Sequence, residues 1–252
     1  MGRFFPYADI KDIINNFKNS NNKSYNDLFI YPEQGCFEVI KSIFKRVNKS
    51  KLFLNEELIR IEPEKQLAIT NNRTIKYKRL ISTMPFNILL EKCNLSYNKN
   101  IYSWNKVLVY NLGFHKQSND IKNHWIYFPE KEYIFYRVGY YNNINNTDKM
   151  SLYVEVGFNK NENIDTQYYL SKIIQDLKKA GIITNHELLH YHYVIMNPAY
   201  VHINQESIND LTKLKAYLKK YNIYSIGRYG SWKYCSMEDN VIEAKTLVKE
   251  LG

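Results

Sequence analysis

The sequence contains few of the residues that define several common classes of protein. Its 252 residues include only three cysteines, Cys36, Cys93 and Cys235, which are odd in number and widely spaced. This spacing fits neither a disulfide framework nor a zinc site, so each cysteine is expected to be a small buried side chain. The apolar runs are too short to cross a bilayer, and the first residues lack the apolar stretch of a signal peptide. A cytoplasmic protein without membrane contact is therefore expected.

Glycine is also scarce. The chain has nine glycines, and no group of them forms the G-x-G-x-x-G turn that binds the pyrophosphate of a dinucleotide. The histidines do not indicate a metal site either. His190 and His192 share one face of a predicted strand, but no carboxylate or cysteine stands nearby at ligand spacing. No metal ion is expected, and a bound dinucleotide would need phosphate-binding groups from elsewhere.

What the sequence does contain is a high proportion of apolar and aromatic residues. Hydrophobic residues make up 44% and aromatic residues 15% of the chain, with 23 tyrosines, which is typical of a globular protein with a packed core. The net charge of +10 is compatible with nucleic acid, a membrane surface or a phosphorylated small molecule as partner. The lysines are scattered along helix and strand faces, however, which favours a solvated basic surface.

Hydrophobic periodicity predicts a mixed α/β (α+β) fold. Apolar residues recur at helical spacing in four main segments and follow strand patterns in others. The predicted helices are Phe37–Val47, Asp165–Ala180, Asp210–Tyr221 and Asp239–Leu251. The predicted strands are Leu52–Ile61, Tyr77–Met84, Lys106–Phe114, Trp125–Pro129, Tyr133–Tyr141, Leu152–Phe158, Leu188–Met196 and Ile223–Ile226. The strands between residues 106 and 158 are typical of an antiparallel meander, with helices packed on the sheet.

The segment Ser225–Val241 is the most informative for function. A short apolar strand runs into Gly227, Arg228 and Gly230, and a polar loop then leads to the start of a helix. Glycine permits close approach of the backbone to a flat ligand, arginine suits phosphate or a flavin carbonyl, and free N–H groups at a helix start attract anions. On these grounds alone, an ordinary strand-to-helix loop with an aromatic plug remains the favoured explanation.

The same segment, G-R-Y-G-S-W-K-Y followed by M-E-D, resembles the carboxy-terminal motif of UDP-galactopyranose mutases and of related FAD-dependent amine oxidases and protoporphyrinogen oxidases. Three earlier segments resemble this superfamily in the expected order: Tyr31–Ile43, with Cys36 at a glycine position, Leu52–Ile61 together with Leu80–Pro85, and His124–Arg137. The resemblance covers most of the chain. It implies the carboxy-terminal portion of a flavoenzyme whose amino-terminal nucleotide-binding unit is absent.

The resemblance assigns roles to three parts of the chain. Residues 1–100 correspond to a remnant of the FAD-binding domain, residues 101–222 to a substrate-binding domain with an antiparallel sheet, and residues 223–252 to a strand, loop and helix that return to the FAD-binding domain. The implied substrate-binding residues are Arg137, Tyr200 and Tyr234, and the implied cofactor-binding residues are Gly227, Arg228, Trp232, Met237 and Asp239. No residue is assigned to catalysis, since the flavin performs the chemistry in this superfamily.

Each of these residues also has a simpler explanation. Arg137, within a strand, would commonly be an exposed cation at a sheet edge. Tyr200 and Tyr234 would be ordinary tyrosines at the border of the core, and Trp232 would be a core residue. The superfamily has a proline after the tyrosine that matches Tyr200, where this chain has Val201.

Three functions are consistent with these observations. The first is a flavoenzyme fragment, a mutase or an oxidoreductase, that acts on a nucleotide sugar and binds FAD only if the missing nucleotide-binding unit is supplied, for example by a separate chain. The second is a non-catalytic module that binds a nucleotide sugar or a partner subunit. The third is a basic nucleic-acid-binding protein, although no recognised motif supports it. The sequence fits three alternatives: a split subunit, a truncated gene product and a remnant that folds alone. It is compatible with an active and with an inactive chain.

Overall fold

A computed structural model describes residues 10, 11, 14 and 29–252. The chain divides into two compact units, Met1–Leu54 and Asn55–Gly252. In the first unit, helix α1 (Phe37–Phe44) occupies most of the helix predicted at Phe37–Val47. The other residues before 29, which belong to the predicted remnant of the FAD-binding domain, lie outside the described residues. The domain boundaries predicted at residues 100 and 222 remain a prediction.

The second unit begins with a small antiparallel sheet. Its three strands are β1 (Leu58–Glu62), β2 (Leu67–Thr70) and β3 (Thr74–Lys76). The strand predicted from Leu52 starts later because Asn55 has a φ of +58°, which interrupts extended backbone. Next along the chain, β4 (Leu80–Ser82) pairs in parallel with the carboxy-terminal strand β10 (Ile223–Ser225), so that both strands end at the same edge.

A five-stranded antiparallel sheet forms the largest layer, in the order β6-β7-β8-β5-β9. Its strands are β5 (Trp104–Phe114), β6 (Trp125–Tyr127), β7 (Arg137–Tyr140), β8 (Ser151–Asn159) and β9 (Leu188–Val201). The predicted meander is correct for β6, β7 and β8 but wrong for β5, which lies beside β8 and β9 and not beside β6. The pairing of β5 with both β8 and β9 is not visible in local periodicity, because it joins strands that are distant in sequence.

The described residues of the second unit also contain six helices, which alternate with the strands along the chain. They are α2 (Phe86–Lys92), α3 (Tyr141–Asn145), α4 (Thr166–Lys179), α5 (Gln205–Lys219), the single turn α6 (Gly227–Gly230) and α7 (Met237–Leu251). Side chains just before three of them accept hydrogen bonds from the first turn: Asp165 for α4, Asn204 for α5 and Ser236 for α7. Such caps satisfy backbone donors that a helix start otherwise leaves free. The predicted mixed fold with helices flanking antiparallel strands is confirmed.

Helix α4 covers one face of the five-stranded sheet. Tyr110 and Val154 from the strands, with Ile173 and Leu177 from the helix, are almost completely buried between them. Burial of side chains of this size contributes about 1.5–3 kcal/mol each. Because side chains alternate along a strand, the residues next to Val154 lie on the opposite face, which α4 does not cover.

A second core lies under the turn α6. Phe86 and Leu89 of α2, Leu218 of α5, Tyr102 and Trp232 are buried together there. The rings of Tyr102 and Trp232 meet edge to face with centroids 5.1 Å apart. This core fixes the chain on both sides of α6, and so determines where the Ser225–Val241 segment lies relative to the end of β9.

The cysteines differ from one another. Cys93 and Cys235 are buried, as expected, but Cys36 is exposed, so the expectation of burial is wrong for this residue. Cys36 lies at the start of α1, where the sequence pattern placed a loop residue and the structure leaves its side chain outside any core. Within the described part of the chain, no helix is long and apolar enough to cross a membrane.

Candidate functional site

Arg137 lies on the sheet face that α4 leaves open. The strand register places Glu155 of β8 directly opposite it, and the guanidinium donates a hydrogen bond to the Glu155 carboxylate. A second donated hydrogen bond, of 3.2 Å, reaches the Tyr127 hydroxyl. The ring centroids of Tyr127 and Tyr153 each lie 5.6 Å from the guanidinium carbon. Since β7 lies between β6 and β8, Arg137 is not an exposed cation at a sheet edge.

This ion pair is largely removed from solvent. The side chain of Glu155 is 6% exposed and that of Arg137 is 23% exposed. The Tyr136 hydroxyl donates to the second oxygen of the Glu155 carboxylate. Burial would lower the pKa of Arg137, but the facing carboxylate raises it above its ordinary value, so the guanidinium stays charged. Its Nε–H group is buried and finds no hydrogen-bond partner among the described residues.

A second group of residues reaches this face from the carboxy-terminal strand. After Ser225 the chain enters α6 through Gly227, whose φ of +84° is in the region that favours glycine. The Tyr229 hydroxyl donates a hydrogen bond of 3.3 Å to the carbonyl of Ala199 in β9. This contact holds α6 against the end of β9 and brings Arg228 close to the strand.

Arg228 packs against two tyrosines. Its guanidinium carbon lies 5.2 Å from the ring centroid of Tyr200 and 4.9 Å from that of Tyr234, and the guanidinium donates to the carbonyl of Cys235 at 3.2 Å. The two rings are stacked, with an interplanar angle of 19°. A cation held on ring faces in this way gains roughly 0.5–2 kcal/mol, depending on its exposure.

Tyr200 connects the two arginines. Burial raises the pKa of its hydroxyl, the charge of Arg137 lowers it, Glu155 raises it and the charge of Arg228 lowers it. The charges of both guanidinium groups therefore act on one hydroxyl, and Arg228 is also in contact with the Tyr200 ring. Four residues that the sequence assigned to ligand binding thus come together in one place. We call the group the arginine–tyrosine cluster: Tyr127, Tyr136, Arg137, Tyr153, Glu155, Tyr200, Arg228 and Tyr234.

The backbone donors of the α6 turn are already used within the chain. The Gly227 N–H group donates to the Glu243 carboxylate at 2.9 Å, and the Arg228 N–H group donates to Asn240 Oδ1 at 3.0 Å. Burial would raise the pKa of Glu243, but hydrogen bonds from Ser231 and Gly227 and the nearby Lys233 ammonium hold it below its ordinary value. An anionic carboxylate thus takes the place at this turn that the sequence suggested for a pyrophosphate.

At the start of α7, residues of the helix and its cap also accept the hydrogen bonds of backbone N–H groups. Ser236 accepts from the Asp239 N–H group, and Asp239 accepts from the Ser236 N–H group, which together form a capping box. Met237 is exposed beside them. Trp232 is buried in the second core and donates its indole N–H to the carbonyl of His202 at 3.2 Å. Cofactor contacts of Trp232, Met237 and Asp239 stay predictions.

A cavity of about 670 Å³ lies between α5, β10 and α7. Tyr234 and Asp239 are among its lining residues, together with Lys215, whose pKa is lowered by burial. Lys215 donates to Ser231, which in turn donates to Glu243. Neither Arg137 nor Tyr200 lines this cavity, so it adjoins the arginine–tyrosine cluster through Tyr234.

Glu155 was not among the residues assigned to the site from the sequence. Its signal was a single carboxylate inside the apolar run Ser151–Phe158, where a charge needs a partner. Arg137 stands on the preceding predicted strand, and an antiparallel pairing of the two strands could have joined them. Tyr127, Tyr136 and Tyr153 were also missed, because nothing distinguishes them from the other tyrosines until the strands are paired.

The positions of the strand ends, rings and backbone donors indicate which parts of FAD the described residues could hold. The carboxyl ends of the parallel strands β4 and β10 lie side by side, which is where α/β sheets bind dinucleotides. The rings and guanidinium of the cluster suit a flavin or a nucleotide base. The turn and the helix start, however, use their N–H groups internally, so the pyrophosphate would need donors from other residues.

The architecture is that of solved mutase, oxidase and oxidoreductase structures, which confirms the resemblance at the level of the fold. One such structure is a reduced UDP-galactopyranose mutase, with a TM-score of 0.79 and 23% identity over 92% of this chain and 54% of that chain. Another is a putative protoporphyrinogen oxidase from Exiguobacterium sp. 255-15, with a TM-score of 0.76 and 13% identity over 94% of this chain and 54% of that one. An oxidoreductase from Methanosarcina mazei has a TM-score of 0.57 and 12% identity, over 86% and 55% of the two chains.

The chain spans about half the length of these structures. No protein-family model matches its sequence, and no curated protein does either. At this level of identity the structures show a shared fold, and the ligand has to be argued from the side chains of the site.

Proposed function

We propose that this chain is the substrate-binding part of a cytoplasmic, FAD-dependent mutase or oxidoreductase that acts on a nucleotide sugar. The observation that supports it is the convergence of Arg137, Tyr200, Arg228 and Tyr234 beside the carboxyl ends of two parallel strands. The arginines offer charge for a diphosphate, and the tyrosine rings offer faces for a base or a sugar.

In this proposal the residues of the chain position the ligand. FAD, when bound, supplies the redox or nucleophilic chemistry of the reaction. Arg228 and Tyr234 face the ligand from the α6 turn, and Arg137 and Tyr200 face it from the sheet. Since the N–H groups of Gly227 and Arg228 are taken, a separate chain or a further segment holds the pyrophosphate of FAD.

The proposal is tested by titrating the purified chain with UDP in a calorimeter and, separately, by passing a mixture with FAD over a size-exclusion column. UDP should bind, and Arg228→Ala should weaken binding by about tenfold or more, because a hydrogen bond to a charged group contributes roughly 1.5–3 kcal/mol. Arg60→Ala is the matched control, since Arg60 lies on β1 and pairs with Glu62 away from the cluster.

FAD is expected to elute apart from the chain alone and to bind only when a polypeptide with a dinucleotide-binding unit is added. If UDP does not bind, or if Arg60→Ala weakens binding as much as Arg228→Ala, the nucleotide-sugar assignment is wrong.

A non-catalytic nucleotide-sugar module is the second candidate. It is favoured by the internal use of the turn's N–H groups by Glu243 and Asn240, which leaves these donors unavailable to FAD. It shares the expectation of UDP binding. It differs in that no added polypeptide with a dinucleotide-binding unit should confer flavin binding or turnover.

A further inference from the structure

The two arginines of the arginine–tyrosine cluster have different surroundings. The Arg137 guanidinium forms an ion pair with Glu155, whose carboxylate is almost entirely buried. Arg228 contacts two rings and the carbonyl of Cys235, and within residues 29–252 it forms no ion pair. Arg137 and Glu155 together have no formal net charge, so Arg228 supplies the cluster's one uncompensated positive charge.

Glu155 is also held firmly in place. It receives hydrogen bonds from both Tyr136 and Arg137, one at each carboxylate oxygen. A buried carboxylate without such partners would be strongly unfavourable, and a buried carboxylate with them has little freedom to turn away when a ligand arrives. An anionic ligand that approached Arg137 would therefore also meet the negative charge of Glu155.

We infer that Glu155 is a specificity-determining residue: it positions Arg137 and offsets its charge, so that Arg228 binds the anionic group of the ligand. This inference rests on the proposed function, because it takes the cluster to be the ligand site. It deepens that function by specifying a ligand whose phosphate lies at Arg228, with its ring portion against the tyrosines, and whose phosphates are not clamped between two equal arginines.

The first experiment removes the negative charge of Glu155, which offsets the positive charge of Arg137. Inorganic pyrophosphate is titrated into the wild-type chain, Glu155→Gln, and the double variant Arg137→Met/Glu155→Gln. Glutamine keeps the size of the side chain and a hydrogen-bond acceptor but removes the negative charge. We expect Glu155→Gln to bind pyrophosphate about tenfold more tightly than wild type, since a unit charge at short range acts strongly in a partly buried site. The double variant should lose this gain, because the gain depends on the charge of Arg137.

Asp176→Asn is the matched control for this experiment. Asp176 is a buried carboxylate paired with Lys172, but it belongs to α4 on the opposite face of the sheet. It should leave pyrophosphate affinity unchanged within about twofold, because the sheet separates α4 from the face that holds Arg137 and Glu155. A role of Glu155 in folding alone could not raise anion affinity, so a gain that requires Arg137 separates specificity from stability.

The second experiment avoids variants that leave one buried charge unpaired. Arg137→Met/Glu155→Met replaces the whole pair with apolar side chains of similar length, a change that buried ion pairs often tolerate. Its affinity for UDP should fall by clearly less than that of Arg228→Ala, which should lose about tenfold or more, because the charge of Arg137 is offset by Glu155 and that of Arg228 is not. Thermal unfolding of each variant checks that the compared proteins are folded.

The outcomes separate the inference from the proposed function. If wild type fails to bind UDP but Glu155→Gln gains pyrophosphate binding through Arg137, the nucleotide-sugar assignment is wrong and the role of Glu155 stands. If Glu155→Gln gains nothing, if Asp176→Asn gains as much, or if loss of the pair abolishes UDP binding as Arg228→Ala does, the inference is overturned.

Discussion

Gly139 shows how one missing side chain shapes the cluster. It lies opposite Tyr153 in the register of β7 and β8, and the Tyr153 ring crosses the space that a side chain at position 139 would fill. A Cβ atom added to Gly139 would lie 2.0 Å from two carbons of that ring. The glycine therefore allows the Tyr153 ring to lie next to the Arg137 guanidinium.

We predict that Gly139→Ala displaces the Tyr153 ring and weakens UDP binding, with a loss of stability of about 1–3 kcal/mol from overpacking. Urea unfolding measures the stability and calorimetry the binding. Gly157→Ala on β8 is the control, because its Cβ would approach no atom closer than 3.8 Å. Equal effects of the two substitutions would contradict the proposed role of Gly139.

At the scale of single residues, the sequence indicated the arginines better than their partners. Arg137 and Arg228 stood out through the motifs around them, and each has tyrosines beside it in the structure. Glu155 did not stand out, because the meaning of a carboxylate in a strand depends on which residue the neighbouring strand places opposite it.

Strand β9 is an edge strand with few features that would prevent pairing with another chain. It is 14 residues long, contains no lysine, arginine, aspartate or glutamate, and pairs only with β5 among the described strands. Tyr193, Val194 and Ile195 are exposed although they lie on both of its faces. Edge strands in monomeric proteins usually have charged or proline residues that discourage pairing with another chain. Strand β9 has Pro198 near its end, but neither a charge nor a proline between Leu188 and Asn197.

We predict that Val194→Lys reduces self-association of the purified chain, because a charge on an edge strand opposes pairing with a second strand. Light scattering over a range of protein concentrations measures it. Ile208→Lys on α5 is the matched control, since Ile208 and Val194 are both 44% exposed. A wild-type chain that scatters no more than Val194→Lys at any concentration would rule out this role of β9.

At the scale of elements, the sequence predicted most helices and strands within a few residues. The caps at Asp165 and Ser236 explain the helix starts, since their side chains accept the first free N–H groups. The turn α6 was read as a loop, because its helical conformation over four residues depends on Gly227 and on contacts with α7 and β9. Local propensity has no access to those contacts.

At the scale of the whole molecule, folding buries the thiol of Cys93 and the hydroxyls of several tyrosines. Burial raises the pKa of the Cys93 thiol to about 12, and it also raises the pKa values of the Tyr77 and Tyr153 hydroxyls to about 12. Each proton is bound more tightly in the folded chain than in the unfolded chain. The associated stability is therefore complete below the ordinary pKa values of 9.0 for the thiol and 10.0 for the hydroxyls, and is lost as the pH rises towards 12.

We predict that the free energy of unfolding falls steadily between about pH 9 and pH 12, with urea unfolding and tyrosinate absorbance as the measurements. Tyr77→Phe is an informative variant, because the Tyr77 hydroxyl is buried without a hydrogen-bond partner in the described part of the chain. It should match wild type near neutral pH and lose less stability in alkali. A decline in stability that is as steep for Tyr77→Phe would show that other groups cause it.

The sequence by itself determined the alternation of helices and strands, the mixed fold class and the two motif segments with their arginines, because these depend on spacing within short stretches of chain. Only the tertiary structure decided that β5 separates β8 from β9, that Glu155 faces Arg137, and that Arg228 reaches Tyr200. The physical reason is that strand order and register arise from burying many side chains at once, a sum over distant residues that no short segment contains.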